Sequence, residues 1–333
     1  MADPGSGRRG GPEGAPDCVG VSAFARGARI GAFAPAKINL YLHVVGRRAD
    51  GYHLLDSLVG FADIGDRVTA APAENLSLAI GGPEAGAILG LGGDNLVMRA
   101  ARLFAAEARA EAPCVTPPGA ALYLDKNLPE AAGIGGGSSD AAAALRALDR
   151  LWQRPLNPAA LAALAPQLGA DVPACLAARP VWVGGIGERI EPARGLPPAG
   201  IILANPRRVL ATADVFAARR GAFTASGRFS SMPPDAAGLA RVLTARRNDL
   251  TEAALALVPD IARVLERLAG LPGALIARMS GSGATCFALF TDRAAALEAG
   301  AVLARAEPLW WSAAGALLTE APPVDEDPGQ PGC

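Results

Sequence analysis

The stretch Leu128-Pro129-Glu130-Ala131-Ala132-Gly133-Ile134-Gly135-Gly136-Gly137-Ser138-Ser139-Asp140 joins a strand-like run, Ala121-Leu122-Tyr123-Leu124, to a helical pattern that begins near Ser139. Its glycines permit φ > 0 and let backbone N–H groups approach an anion without obstruction by side chains. Ser138 and Ser139 fall where a helix N-cap belongs, so free amides and the positive end of the helix dipole are expected to face the loop. The segment therefore predicts a phosphate cradle, with Pro129 through Ser139 as candidate contacts. No Gly-Lys pair occurs anywhere in the chain, which excludes the Walker-type P-loop. The glycines do not sit in a first βα turn with an acidic residue after the next strand, which counts against a dinucleotide fold. A flexible loop before an ordinary helix is the plainer alternative, and the glycine triplet with its paired serines weighs against it.

Outward from this loop, the pattern from about Ala32 to Pro180 alternates strand-like and helical segments. Ile38 to Val45 reads as a strand, Asn95 to Ala108 as a helix with Leu96, Val97, Ala100, Leu103 and Phe104 on one face, and Ser139 to about Gln153 as a second helix that Pro155 stops. A second region starts at the strand-like Gly200-Ile201-Ile202-Leu203-Ala204. It continues through helices at 239–244 and 260–269, a glycine turn at Ser280 to Gly283, a strand at 285–290 and a helix at 294–304. The first 20 or so residues and the stretch from Pro322 to Cys333 are rich in Gly, Pro and charge with almost no large apolar side chain, so both are expected to be disordered.

The chain has 333 residues, a formal charge of −1 and no net field with which to hold nucleic acid or an anionic membrane, so a phosphate must be bound locally. Five scattered cysteines without a C-x-x-C pair argue against a disulfide framework or a zinc site. With no membrane-length apolar run and no secretory signal, they predict a cytoplasmic protein. All but two of the 31 basic residues are arginine. The two lysines, Lys37 and Lys126, are candidates for positions where a compact ammonium with a tunable pKa is required, the alternative being chance.

Three segments in this order and spacing resemble the GHMP kinase superfamily, named for galacto-, homoserine, mevalonate and phosphomevalonate kinases: Ala34-Pro35-Ala36-Lys37-Ile38-Asn39-Leu40, the loop ending Gly135-Gly136-Gly137-Ser138-Ser139-Asp140-Ala141-Ala142, and Met279-Ser280-Gly281-Ser282-Gly283-Ala284-Thr285. Arg48-Ala49-Asp50-Gly51-Tyr52-His53 and Leu168-Gly169-Ala170-Asp171-Val172-Pro173 resemble the branch that acts on a cytidine-diphosphate-linked methylerythritol. The likeness spans about Ala32 to Phe290.

The resemblance implies an α+β fold. An N-terminal two-layer α+β domain of ribosomal-protein type (31–180) is joined to a C-terminal ferredoxin-like α/β-plait domain (181–320), with the active site between them and disordered ends at 1–30 and 321–333. It further implies transfer of the γ-phosphoryl group of ATP, with Mg²⁺, to the 2-hydroxyl of that substrate in the non-mevalonate route to isoprenoids, without a nucleic-acid or membrane partner. Another superfamily kinase, for homoserine or mevalonate, or a catalytically silent nucleotide-binding protein on the same fold, are the competing readings.

By the resemblance, Asp171 takes the hydroxyl proton and Lys37 pairs with it. The residues themselves leave open a turn or helix-cap aspartate and a lysine reaching solvent from a strand end. The resemblance also implies that Tyr52 stacks on the cytosine, His53 hydrogen-bonds its edge, and Asn39 contacts the substrate. Thr212 and Phe216, in a Thr-x-x-x-Phe spacing, supply a polar contact and the second face of the sandwich. Lys126 is placed against the adenine, and Ser280 to Gly283 supports the phosphate region, a plain β-turn being its alternative. Glu130 and Ala131 depart from the apolar residue and glycine that the family often has, an acidic side chain that must turn away from phosphate and a methyl that stiffens the loop. Ser138 and Asp140 are the side chains considered for Mg²⁺, beside an ion held only by phosphates and water.

Overall fold

A computed structural model of the chain describes residues 29–87, 95–111, 119–153 and 156–327. The expected disordered segments, apart from their inner ends, lie outside the described residues, as does Pro155.

Strands β1 (Arg29–Arg47) and β2 (His53–Ala73) form a long antiparallel hairpin. Its turn is closed by hydrogen bonds between Arg48 and Tyr52 and between Gly51 and Arg48, with Gly51 at φ 94°. β4 (Gly119–Asp125) adds to β2, β3 (Ser77–Gly81) runs parallel to β4, and β5 (Val181–Gly185) and β6 (Arg189–Pro192) build outward from the first half of β2. Helices α1 (Leu96–Glu111), α2 (Gly136–Leu151), α3 (Pro158–Leu168) and α4 (Val172–Ala177) bury their apolar stripes on this sheet, where Val59, Phe61 and Val68 meet Phe104, Leu145, Leu148 and Leu164. Asn157 starts α3 by accepting the Ala160 N–H at 2.9 Å, with Pro158 at the first helical position.

The second layer contains β7 (Gly200–Asn205), β8 (Ile276–Met279), β9 (Cys286–Phe290) and β10 (Trp311–Leu318), ordered β10-β7-β9-β8 and antiparallel throughout. Between these strands lie α5 (Thr212–Ala218), α6 (Ala236–Thr244), α7 (Thr251–Leu257), α8 (Asp260–Ala269) and α9 (Arg293–Ala306). Residues of α8 and α9 cover one face through Ile261, Val264, Leu268 and Leu303. On the opposite face Ile201, Leu203, Phe287 and Leu289 pack against Ile38 and Leu40 of β1. The mixed α+β content expected from the sequence is present, and the two sheets are joined where Leu317 and Leu318 pair with Ala62 and Phe61.

Three sequence expectations are corrected. The tail is not disordered throughout: β11 (Val324–Asp327) pairs antiparallel with Arg29 to Ala32, which are strand rather than extension. The open edge of β1 carries unpaired N–H and C=O groups, and this short segment satisfies them. The first sheet extends past residue 180, because β5 and β6 hydrogen-bond onto β2 while Val181 and Val183 join the core under α1–α4. Helix α2 begins at Gly136, before the serines, with Gly135 in the left-handed N-cap position at φ 62°.

Candidate active site

A cleft of about 960 Å³ lies where the two layers meet, lined by β1, β2, the glycine loop, α4, α5 and the 280–283 turn. β1 presents Lys37 and Asn39 to it, two residues apart and so on one face of the strand, while Ile38 and Leu40 enter the core behind. Register shifts between Pro35 and Lys37 and between Asn39 and Tyr41 bracket this pair, and such bulges re-aim the side chains beside them.

Lys37 Nζ lies 2.7 Å from Asp171 Oδ1, a contact across 134 residues of sequence. The lysine side chain is 7 % exposed and that of Asp171 47 %, so the ammonium is held from behind while the carboxylate opens to the cleft. Asp171 occupies the N-cap position of α4 without making a capping hydrogen bond, which removes the helix-cap reading of this residue. Lys37 is also fixed through its main chain, whose N–H donates to the Ile134 carbonyl at 2.9 Å.

The glycine loop enters with Pro129 buried, turns through Ala131 (φ 49°), Gly133 (φ 73°) and Gly135 (φ 62°), and exposes Glu130–Gly133 and Gly135–Ser138 to the cleft. The N–H groups of Gly136, Gly137 and Ser138 belong to the first turn of α2 and have no partner within the helix, whereas that of Ser139 bonds to the Gly135 carbonyl. Ser139 itself is buried, and its hydroxyl donates to the Pro35 carbonyl at 2.7 Å, so it pins α2 to β1 and does not face the cleft. Pro129 and Ile134 are likewise absent from the cleft wall.

The turn of the third motif packs directly on this loop. Thr285 N–H donates to the Ala132 carbonyl at 3.1 Å and Ser280 Oγ to the Gly133 carbonyl at 3.2 Å. A Cβ at position 133 would stand 2.5 Å from the Gly283 carbonyl oxygen, so glycine is required there on steric grounds as well as by its φ. Asn248, which the sequence did not single out, holds the turn by donating Nδ2 to the Met279 and Gly281 carbonyls, both at 2.8 Å.

At the far end of the cleft, Tyr52 at the hairpin tip is 62 % exposed, and His53 stacks on Phe216 with ring centroids 5.2 Å apart and planes 25° from parallel. Thr212 and Phe216 are four residues apart on α5 and both reach the cleft; Thr212 Oγ1 lies 2.9 Å from Ser282 Oγ. Burial, and then the cations Arg47 and Arg219, lower the His53 pKa below its ordinary value, which keeps the ring neutral. Asn39 donates Nδ2 to Ser57 Oγ at 2.8 Å, and its buried Oδ1 has no partner among the described residues, leaving one acceptor for a ligand.

Lys126 is not in the cleft. It is buried between Asp66 and Asp140, 2.5 and 3.1 Å from their carboxylate oxygens, so neither Lys126 at the adenine nor Asp140 at a metal agrees with the structure. The charge of each is already met from inside. Arg47, Ser57 and Leu96 also line the cleft without having been identified as site residues. Val59 stands opposite Asn39 and Ser57 opposite Leu42, but Gly60 and Gly65 interrupt the alternation that would mark β2 as one strand.

The geometry agrees with what this chain is similar to. The family models described as GHMP kinases N terminal domain and GHMP kinases C terminal match residues 95–179 and 234–308. A 4-diphosphocytidyl-2-C-methyl-D-erythritol kinase of Paramagnetospirillum magneticum is 52% identical over 86% of this chain and 98% of its own length. Its counterpart in Rhodospirillum rubrum is 50% identical over 86% and 91%. A crystal structure of 4-(cytidine 5'-diphospho)-2C-methyl-D-erythritol kinase superposes with a TM-score of 0.68 at 35% identity, covering 86% of this chain and 98% of that one. The homoserine kinase of Cytophaga hutchinsonii, at 19% identity and a TM-score of 0.64 over 89% of this chain and 97% of its own, shares the fold.

Proposed function

Because the chain belongs to the 4-diphosphocytidyl-2-C-methyl-D-erythritol kinase family of GHMP kinases, an ATP-dependent family of the non-mevalonate isoprenoid pathway, we propose that Lys37 and Asp171 carry out phosphorylation of the substrate 2-hydroxyl. The observation that carries this reading is the 2.7 Å Lys37–Asp171 pair at the wall of a cleft whose opposite side is the glycine loop.

The carboxylate of Asp171 takes the 2-hydroxyl proton as the alkoxide oxygen attacks the γ-phosphorus in line, and ADP leaves with the bridging electron pair. Lys37 keeps the carboxylate oriented toward the hydroxyl and offsets negative charge on the transferring group. The free amides of Gly136, Gly137 and Ser138 take the phosphates. Tyr52 and Phe216 enclose the cytosine while neutral His53 and the open Asn39 oxygen hydrogen-bond the substrate. For the base to enter, the His53–Phe216 stack opens.

Mg²⁺ belongs to the same proposal. Among the described residues no group of three His, Cys, Asp or Glu side chains could cage it, and Ser138, whose residue lines the cleft, would be the hydroxyl to meet it. When bound, Mg²⁺ would supply neutralisation of the β/γ-phosphate charge. Among the described residues no helix is long and apolar enough to cross a membrane, and the buried free thiols of Cys175 and Cys286 support a reducing cytoplasmic setting.

The test is turnover by purified protein with Mg²⁺-ATP and 4-diphosphocytidyl-2-C-methyl-D-erythritol, read as ADP release and as a new phosphate ester at the 2-position. Release with homoserine or mevalonate but not with this alcohol would overturn the assignment.

A further inference from the structure

Asp66 on β2, Lys126 just beyond β4 and Asp140 on α2 form a buried cluster that the transfer chemistry does not use. Lys126 Nζ stands 2.5 Å from Asp66 Oδ2 and 3.1 Å from Asp140 Oδ2, with the lysine side chain 1 % exposed. Asp66 turns its other oxygen to the main chain, accepting the N–H groups of Asn127 at 2.5 Å and Leu128 at 2.8 Å, the two residues that lead into the glycine loop. Asp140 lies one helical turn beyond Gly136, where an added Cβ would come within 3.2 Å of the same ammonium. One cation therefore ties down both ends of the loop.

Stability alone is a poor reason for this arrangement. Removing an ion from water costs several kcal/mol, and well-packed apolar residues of similar volume often do as well or better. What a cluster of this kind supplies is a fixed relative position of three elements, here β2, the start of the loop and the first turns of α2. We propose that Asp66 and Lys126 are positioning residues for ATP, which hold the glycine loop with its amides already aimed at the polyphosphate. This rests on the kinase reading of the cleft.

The two carboxyl groups are not equivalent. Asp66 has three donors on its two oxygens, whereas Asp140 Oδ1 is buried without a partner among the described residues. Burial, opposed by Lys126 and reinforced by Asp66, pushes the Asp140 carboxyl well above the usual carboxylate range. Burial works against the Lys126 ammonium too, but Asp140 and Asp66 more than offset it. Asp66 therefore holds the main chain of the loop as well as the ammonium, whereas Asp140 touches the ammonium alone.

The experiment compares Asp66→Asn, Lys126→Met and Asp140→Asn with the unaltered protein. It measures kcat, KM for ATP, KM for the alcohol, the Kd of a non-hydrolysable ATP analogue by calorimetry, and the melting temperature. Asp66→Asn and Lys126→Met are expected to raise KM for ATP and the analogue Kd by about tenfold, the scale of a lost charge-assisted hydrogen bond, while KM for the alcohol moves less than about twofold. Asp140→Asn, which alters one contact to Lys126 and none to the main chain of the loop, is expected to lose less than Asp66→Asn. A general structural role would instead move both KM values together, and that result overturns the proposal, as does an unchanged analogue Kd in a folded Asp66→Asn or an Asp140→Asn loss equal to it. If Asp66→Asn does not fold, Lys126→Met decides by the same split. The calorimetric arm needs no alcohol, so a failure of the assigned acceptor and a failure of this positioning role give different results.

Discussion

Asp171 holds an N-cap position yet spends its carboxylate on Lys37, so its distance from the lysine, rather than local helix chemistry, explains its placement. Asp171→Asn keeps the size and one acceptor for Lys37 but cannot take a proton. It is expected to fold and bind both substrates with kcat lower by about 10²-fold or more, the scale of a lost general base. Steady-state kinetics with the cytidine substrate measures this, and turnover near normal removes Asp171 from the mechanism. The Lys37–Asp171 pair was legible through the family resemblance, to which the rarity of lysine in this chain added weight. Lys126 shares the rarity and was misplaced, since its counter-ion Asp66 is 60 residues away and nothing local announces the pairing. Sequence spacing reports neighbours along a strand or helix. It is silent about a buried partner brought in from another element.

The glycine loop follows the same division at the next scale. Its composition announced a backbone that must approach an anion, and the 127–138 segment does face the cleft over most of its length. Where α2 starts was not legible, because Gly135 can take the left-handed N-cap that the serines were expected to provide, which releases the Ser139 hydroxyl to bind Pro35. β2 was not recognised as one 21-residue strand, since Gly60 and Gly65 blank the period-two pattern. Ala131 carries φ 49° with a side chain attached, a conformation that costs an L-residue about 1–2 kcal/mol and a glycine almost nothing. Ala131→Gly is thus expected to stabilise the protein by roughly 0.5–1 kcal/mol after the added freedom of the unfolded chain is subtracted. Urea denaturation reads this as a higher midpoint at unchanged m-value; a lower midpoint means the Ala131 methyl has packing that outweighs its strain.

Across the whole molecule, the two layers meet along β2 and β10, around Arg278, and through ion pairs that include Arg207–Glu84 and Arg293–Asp63. Arg278 donates to the Leu40, Leu243 and Arg246 carbonyls and so ties β8 to β1 and α6. Arg207, after β7, grips Glu84, after β3, in a two-pronged contact at 2.8 and 3.0 Å. Glu84 is 10 % exposed and Arg207 51 %, so water screens one side of the pair. A double-mutant cycle over Glu84→Gln and Arg207→Ala is expected to give a coupling of about 0.5–1 kcal/mol in unfolding free energy that shrinks with added salt. Zero coupling at low salt would show that the two layers do not depend on this bridge. None of these contacts was legible from the chain, because each joins residues of separate elements. The same holds for β11, with a consequence for the order of events during synthesis. The strand that bears Lys37 leaves the ribosome early and gains its partner β2 soon after, but residues 29–32 keep an open edge until residues 324–327 have been made. Non-local pairing of this kind is late and slow, and an unpaired edge is where strands of different chains find one another. The strand that lines the cleft thus keeps the edge at residues 29–32 open to strands of other chains until β11 has been made to cover it.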